Sequence, residues 1–239
     1  MKCRLDMALV ERGLVDSREK ARAMVMAGEV YVDDEIAAKP SLQVMECSDI
    51  RLRRKPPYVS RGGVKLSYAL AEFRIDVTSL VALDIGASTG GFTDCLLQHG
   101  VGRVYAVDVG YGQIDYGLRI DPRVVVIERA NARYPLPIPG QVDIAVIDVS
   151  FISLEKVVPN AASLLKPGGD LICLVKPQFE AGKNEVGKGG IVRDPAIHAL
   201  VLGRFIAWII DKGYRLGGLT PSPISGASGN REFFVLLKV

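Results

Sequence analysis

The run Leu83-Asp84-Ile85-Gly86-Ala87-Ser88-Thr89-Gly90-Gly91-Phe92-Thr93 constrains this chain more than any other stretch. The apolar residues up to Ile85 read as a buried strand. Gly86, Ser88, Gly90 and Gly91 read as a turn whose backbone can take φ > 0 and approach a ligand closely. Phe92 to Gln98 can then open a helix. A strand feeding a glycine-rich turn and a helix belongs to a doubly wound α/β sheet, where ligands bind outside the carboxyl ends of the strands. Asp84 stands at such an end and would face a cationic ligand group. The next apolar strand, Val104-Tyr105-Ala106-Val107, ends in Asp108, whose carboxylate can accept both hydroxyls of a ribose.

Three other loop chemistries compete for this turn. A dinucleotide fingerprint needs G-x-G-x-x-G, and Ser88 replaces the glycine that lets a pyrophosphate come closest, so NAD is disfavoured and stays the alternative. Gly86 to Gly90 also spells the G-x-S-x-G of a hydrolase elbow, which needs a later acid and a loop histidine. His99 instead closes the helix after the turn, and His198 falls in an expected helix from Pro195 to Asp211. A P-loop needs Lys-Ser or Lys-Thr after its last glycine, where this chain has Phe92-Thr93; the stretch 182–189 carries Gly187-Lys188 but ends in Gly189. The turn therefore reads best as the cofactor loop of a methyltransferase.

The 239 residues suffice for one ordinary α/β domain and a small appendage. Because no apolar run approaches the ~20 residues of a membrane span, and residues 1–6 open an amphipathic stretch, a cytoplasmic protein is expected. Cys3, Cys47, Cys95 and Cys173 are widely spaced and form no C-x-x-C pair, so free thiols are expected and no metal site. The net charge of +3 falls entirely within residues 1–65, which hold 13 Lys and Arg against 10 Asp and Glu. Residues 51–65 contain Arg51, Arg53, Arg54, Lys55, Arg61 and Lys65 and no acid. Such a stretch suits a polyanion such as nucleic acid; its plainer reading is a solvated linker.

Residues 5–52 have the pattern of a small α/β module. Leu5, Ala8, Leu9 and Arg12 share a helical side, Gly13 interrupts, and Asp16-Ser17 can cap a second helix carrying Ala21, Met24 and Val25. Gly28 ends that helix, and Val30-Tyr31-Val32, a turn at Asp33-Asp34 and a strand around Ile50-Arg51-Leu52 complete the module. With Arg4-Leu5-Asp6, Gly13, Ser17-Arg18, Ala21, Gly28 to Val32 and Asp49-Ile50, this segment resembles the S4 RNA-binding domain. The resemblance implies that Arg4, Arg18, Lys20 and Arg22 face structured RNA, although each also reads as an ordinary solvated helix charge. Pro56-Pro57 breaks the chain, which gives residues 1–54 as the S4-like domain, 55–63 as linker and 64–239 as the second domain.

In the second domain a helix is expected from about Val64 to Phe73. Apolar strands near 81–85, 104–107, 124–127, 144–149 and 170–175 alternate with helical or loop segments, and two last strands, 215–219 and 232–239, suggest an antiparallel finish. Asp148 and Lys176 stand at carboxyl ends of strands and so face the ligand crevice. With Ser60 to Leu66, the cofactor loop, Asp148-Val149-Ser150-Phe151-Ile152-Ser153, Val175-Lys176-Pro177-Gln178-Phe179-Glu180 and Val186 to Pro195, the chain closely resembles the TlyA (hemolysin A) family over essentially its whole length.

That resemblance implies an FtsJ-like, Rossmann-like catalytic domain that 2′-O-methylates ribose in ribosomal RNA with S-adenosylmethionine. It implies ribosomal RNA or ribosomal subunits as partners and calls for no obligatory protein partner. The family's Lys-Asp-Lys-Glu tetrad falls on Lys65, Asp148, Lys176 and Glu232; cofactor contacts fall on Asp84, Gly86, Ser88, Gly90, Asp108 and Asn131. A membrane-active hemolysin and a non-catalytic rRNA-binding assembly factor are the alternatives. Chemistry gives the tetrad a reason, because a ribose hydroxyl is a poor nucleophile whose proton must be removed or polarised while its oxygen is aligned with the methyl group. Lys176 is expected to act on the hydroxyl, with Lys65 nearby and the two acids orienting the lysines.

Overall fold

The structure, a computed structural model, describes residues 2–53 and 56–239. The chain divides into two compact units, Met1–Pro56 and Pro57–Val239.

The first unit runs β1 (Lys2–Arg4), α1 (Leu5–Glu11), α2 (Arg18–Met26), β2 (Val30–Val32), β3 (Glu35–Ile36), β4 (Gln43–Met45) and β5 (Ile50–Leu52). Ser17 caps α2 by accepting from the Lys20 amide. β3, β2 and β5 form one antiparallel sheet, and β1 pairs with β4 in a second that the sequence reading lacked. Leu5, Leu9, Ala21, Val25, Val30 and Val44 close a core between helices and strands. Arg12 is bound to that scaffold, since its guanidinium donates to the carbonyls of Met45, Glu46 and Ser48.

The second unit opens with α3 (Arg61–Phe73), followed by β6 (Val81–Ile85), α4 (Gly91–Gln98), β7 (Arg103–Val107), α5 (Tyr116–Arg119), β8 (Val124–Ile127), β9 (Val142–Ile147), α6 (Val158–Ser163), β10 (Leu165–Val175), α7 (Pro177–Glu180), α8 (Pro195–Asp211), β11 (Arg215–Pro221) and β12 (Phe233–Lys238). Its sheet has the order β11-β12-β10-β9-β6-β7-β8, with β12 antiparallel to both neighbours and the other pairs parallel. The doubly wound α/β fold and its antiparallel finish are as the sequence reading expected.

Both faces of this sheet are buried, which is why its strands are continuously apolar. Leu83, Ile85, Ala145, Ile147, Leu171 and Cys173 join one core, where α8 adds Val201, Phe205 and Ile209. Their alternates Ala82, Ile144, Val146 and Ile172 join a second core beneath α3 and α4. Each such large side chain contributes roughly 1.5–3 kcal/mol. Among the described residues no helix is long and apolar enough to cross a membrane.

Candidate active site

The glycine turn is held from two sides. Gly86 has φ +87°, and a Cβ there would come within 2.3 Å of the Asp148 carbonyl oxygen, so the turn can lie against the end of β9 only as glycine. A Cβ on Gly91 would come within 2.1 Å of Ser60 Oγ, which fixes the close approach of α4 to the start of α3. Ser88, although not glycine, also sits at positive φ (49°). Its amide donates to Asp108 Oδ2 at 2.8 Å, and the Gly110 amide donates to Asp108 Oδ1 at 2.6 Å. Asp108 thereby locks two loops together, and each carboxylate oxygen keeps a lone pair for a ligand. The Ser88 hydroxyl lies 3.5 Å from Gln113 Oε1, a contact unlike the serine–histidine pair of a hydrolase.

A cavity of about 560 Å³ opens beside this turn, lined by Gly86, Ser88, Asp108, Asn131, Asp148 and Phe151 among others. That volume suits a nucleoside-sized cofactor. Asn131 Oδ1 accepts from the Arg133 amide, which shapes the loop after β8. Gly90 is not among the lining residues of this cavity; it starts α4 at φ 96°, packed against Leu118. Asp84 lies beneath the turn, fully buried, with Oδ2 accepting from Thr93 Oγ1 at 2.6 Å and Oδ1 without a partner. Burial, helped by the charges of Asp148 and Asp108, pushes the Asp84 carboxyl up to about 7. An orphaned acidic oxygen under the turn and a loop-end acid for a ribose together fit an aminoacyl-nucleoside donor.

The tetrad appears as two ion pairs. Lys65 Nζ, buried on α3, donates to Glu232 Oε2 at 2.5 Å, with Glu232 just ahead of β12 and also buried. Lys176 Nζ, just past β10, donates to Ser150 Oγ at 2.9 Å and approaches Asp148 Oδ1 to 2.6 Å, outside hydrogen-bonding alignment. The register places these groups together: Val175 pairs with Phe233, and Cys173 with Ile147, so Lys176, Glu232 and Asp148 each sit one residue beyond a paired strand end. A smaller cavity of about 140 Å³ is lined by Lys65, Ser60 and Phe92, and shares Gly86, Ser88 and Asp148 with the larger one.

Ser150 was not foreseen as a Lys176 partner, nor Glu180, whose Oε1 accepts from the Leu154 amide at 2.8 Å. Burial raises the Glu180 carboxyl above its ordinary value. Glu180 ties α7 to the loop after β9, as does the Phe151–Phe179 ring contact at 4.9 Å. The Lys176–Ser150 and Glu180–Leu154 contacts each span 26 residues, so only the fold could bring these groups together.

The basic residues of the first unit are largely engaged. Arg4 and Arg18 both bind Asp6, whose side chain is fully buried. These contacts, Arg4 foremost, hold the Asp6 carboxyl down at about 2. Lys20 pairs with Asp16 at 2.8 Å, and Arg51 with Asp34 and Asp49. Arg22 and Arg53 are exposed, with no side-chain hydrogen bond or ion pair among the described residues; Arg54 lies outside the described residues. The described cysteines are free thiols, and no acid, histidine and cysteine cluster among the described residues could hold a metal.

A doubly wound sheet with the donor-type turn and this pair of lysine–carboxylate contacts defines an FtsJ-like methyltransferase, and that family matches residues 58–239, while the S4 domain matches residues 3–50. The chain is 51% identical over 238 residues to the Bacillus subtilis (strain 168) protein YqxC, designated an rRNA methyltransferase, covering 98% of this chain and 85% of that one. It is 44% identical over 241 residues to the 16S/23S rRNA (cytidine-2′-O)-methyltransferase TlyA of Mycobacterium tuberculosis (strain CDC 1551 / Oshkosh), covering 99% and 90%. A solved structure designated a hemolysin, from Streptococcus thermophilus, superposes with a TM-score of 0.75 at 45% identity, covering 99% of this chain and 88% of that chain. This chain belongs to the TlyA family of S4-containing, FtsJ-like methyltransferases.

Proposed function

We propose that the chain transfers the methyl group of S-adenosylmethionine to a ribose 2′-hydroxyl of ribosomal RNA. The observation that carries this reading is the convergence of Lys65–Glu232 and Lys176–Asp148 at the strand ends beside a nucleoside-sized cavity. The relatives' activity on rRNA supports the substrate class.

When bound, the donor supplies an electrophilic methyl group on a sulfonium. Asp108 is placed to accept the donor's ribose hydroxyls on the lone pairs that Ser88 and Gly110 leave free. Gly86 lets the backbone approach the donor and Asn131 flanks its base end, while Asp84, buried beneath the turn and in neither cavity wall, supports the loop from below. Asp148 borders both cavities and so stands where donor and acceptor chambers meet. Lys176 Nζ, oriented by Ser150 and Asp148, serves in either charge state: as an amine it takes the 2′-hydroxyl proton, and as an ammonium it orients the oxygen lone pair by hydrogen bonding while the proton leaves to solvent water as the methyl group bonds. Lys65, fixed by Glu232, completes the wall. In the first unit, Arg22 and Arg53, which have no side-chain partner among the described residues, are open to RNA, with Arg4, Arg18, Lys20 and Arg51 able to add the donor groups their acids leave open.

Calorimetry with S-adenosylmethionine and with NAD, followed by transfer of labelled methyl to unmodified ribosomal subunits, tests the proposal. Binding of the methyl donor alone and labelling of rRNA are expected. NAD binding without donor binding would overturn it.

A further inference from the structure

We propose that the loop from Gly187 to Arg193 docks the phosphate backbone of the RNA substrate, with Lys188 and Arg193 as the phosphate contacts; this rests on the RNA methyltransferase reading above. The loop borders a surface concavity of about 460 Å³, whose charged lining is Glu185, Lys188, Arg193 and Asp194. Both acids are already engaged. Glu185 accepts from the Gly182 amide at 2.7 Å and pairs with Arg204 at 3.2 Å, and Asp194 caps α8 by accepting from the Ala196 amide. Lys188 and Arg193 are exposed and have no side-chain hydrogen bond or ion pair among the described residues, so both cations are open to an anionic partner.

The loop is also fastened in a way that a solvated connection does not need. Asn230, only 1% exposed, accepts from the Val192 amide through Oδ1 and donates to the Gly190 carbonyl through Nδ2, both at 2.9 Å. Buried His198 bonds the Val192 carbonyl through Nε2 at 2.9 Å, and the Gly187 amide reaches Ile191 at 3.1 Å. The tip holds Gly189 and Gly190 at φ +79° and +73°, with open space where each Cβ would stand, so a phosphate can meet bare backbone there. Asn230 precedes Glu232 by two residues. The same segment therefore sets the loop and delivers the carboxylate that holds Lys65, which places a phosphate-binding element at a fixed register from the reacting ribose. Phosphate contacts of this kind position a substrate without reading its sequence.

The full-length double variant Lys188→Gln/Arg193→Gln tests this against the charge-keeping Lys188→Arg/Arg193→Lys. The slope of log binding constant against log salt for ribosomal RNA should become shallower by about 1.4–1.8, at roughly 0.7–0.9 per lost contact. KM for ribosomal subunits should rise roughly 2- to 30-fold, the range of two exposed charge contacts, with kcat and donor affinity unchanged. The charge-keeping variant should restore the slope. A double variant that binds donor normally and matches wild type in slope and KM would overturn the loop proposal alone. A wild-type chain that transfers no methyl to rRNA would overturn the functional reading and this proposal with it.

Discussion

Replacing Glu232 by alanine should cost the second unit stability as well as activity, and the size of the loss follows from the geometry of its partner. Lys65 Nζ lies 2.5 Å from Glu232 Oε2, and the two side chains are 9% and 3% exposed. Removing the carboxylate leaves an ammonium in a place water scarcely reaches, and breaking such a pair costs about 3–5 kcal/mol. That is a large share of the ~5–15 kcal/mol that holds an ordinary domain together. If the loss comes from the stranded charge, Lys65→Met/Glu232→Leu should regain most of it, because paired apolar replacements of similar volume remove both desolvation penalties. Both variants should fail to transfer methyl groups. Urea unfolding followed by Trp208 fluorescence is the assay, since the chain's one tryptophan lies on α8, stacked on Phe205, and reports this unit. A loss below about 1 kcal/mol in Glu232→Ala, or a double variant no more stable than the single one, would refute the buried-pair argument.

Lys176→Ala should abolish methyl transfer while donor affinity by calorimetry stays near wild type; near-normal turnover would remove Lys176 from the mechanism. Asp84 keeps its proton in the fold up to about pH 7, whereas the unfolded chain releases it near 4. Stability from this group therefore falls as pH rises from about 4 to 7 and is gone above that, so Asp84→Asn should gain roughly 2–4 kcal/mol over wild type at pH 8 and little at pH 4, measured by urea midpoints. Asp6 behaves oppositely: held at about 2 by Arg4 and Arg18, it stabilises the first unit above about pH 4 and ceases to as pH falls toward 2. A carboxyl NMR titration showing Asp6 at an ordinary value near 4 would contradict this.

Most of the sheet was legible because its strands are short apolar runs ending in a charge. Asp108, Asp148 and Lys176 mark such ends, and burial on both faces leaves the runs uninterrupted. The start of α3 was misread by three residues: the helix begins at Arg61, not near Val64. Gly62 and Gly63 look like helix breakers, yet Gly63 is needed because Tyr58 fills the space of a Cβ, and Ser60 supplies the cap. β1, β3 and β4 have only two or three residues, too few for periodicity to register. In the site, residue types at strand ends were readable, but which carboxylate faces which lysine was not. Each lysine does face an acid, as expected, but the pairing of Lys65 with Glu232 spans 167 positions of sequence and no local pattern announces it. Arg4 and Arg18 read as free RNA contacts because nothing local announces that Asp6 is buried between them.

A methyl group on a ribose oxygen is chemically distinguishable from one on a base. Ribosomal subunits labelled by this chain from radioactive S-adenosylmethionine can be hydrolysed in alkali, which cuts RNA only where a free 2′-hydroxyl can attack the neighbouring phosphate. A 2′-O-methylated ribose survives as an alkali-resistant dinucleotide, so all label is expected in dinucleotides and none with Lys176→Ala. Label released in mononucleotides would place the methyl on a base and contradict the role assigned to Lys65, Asp148, Lys176 and Glu232.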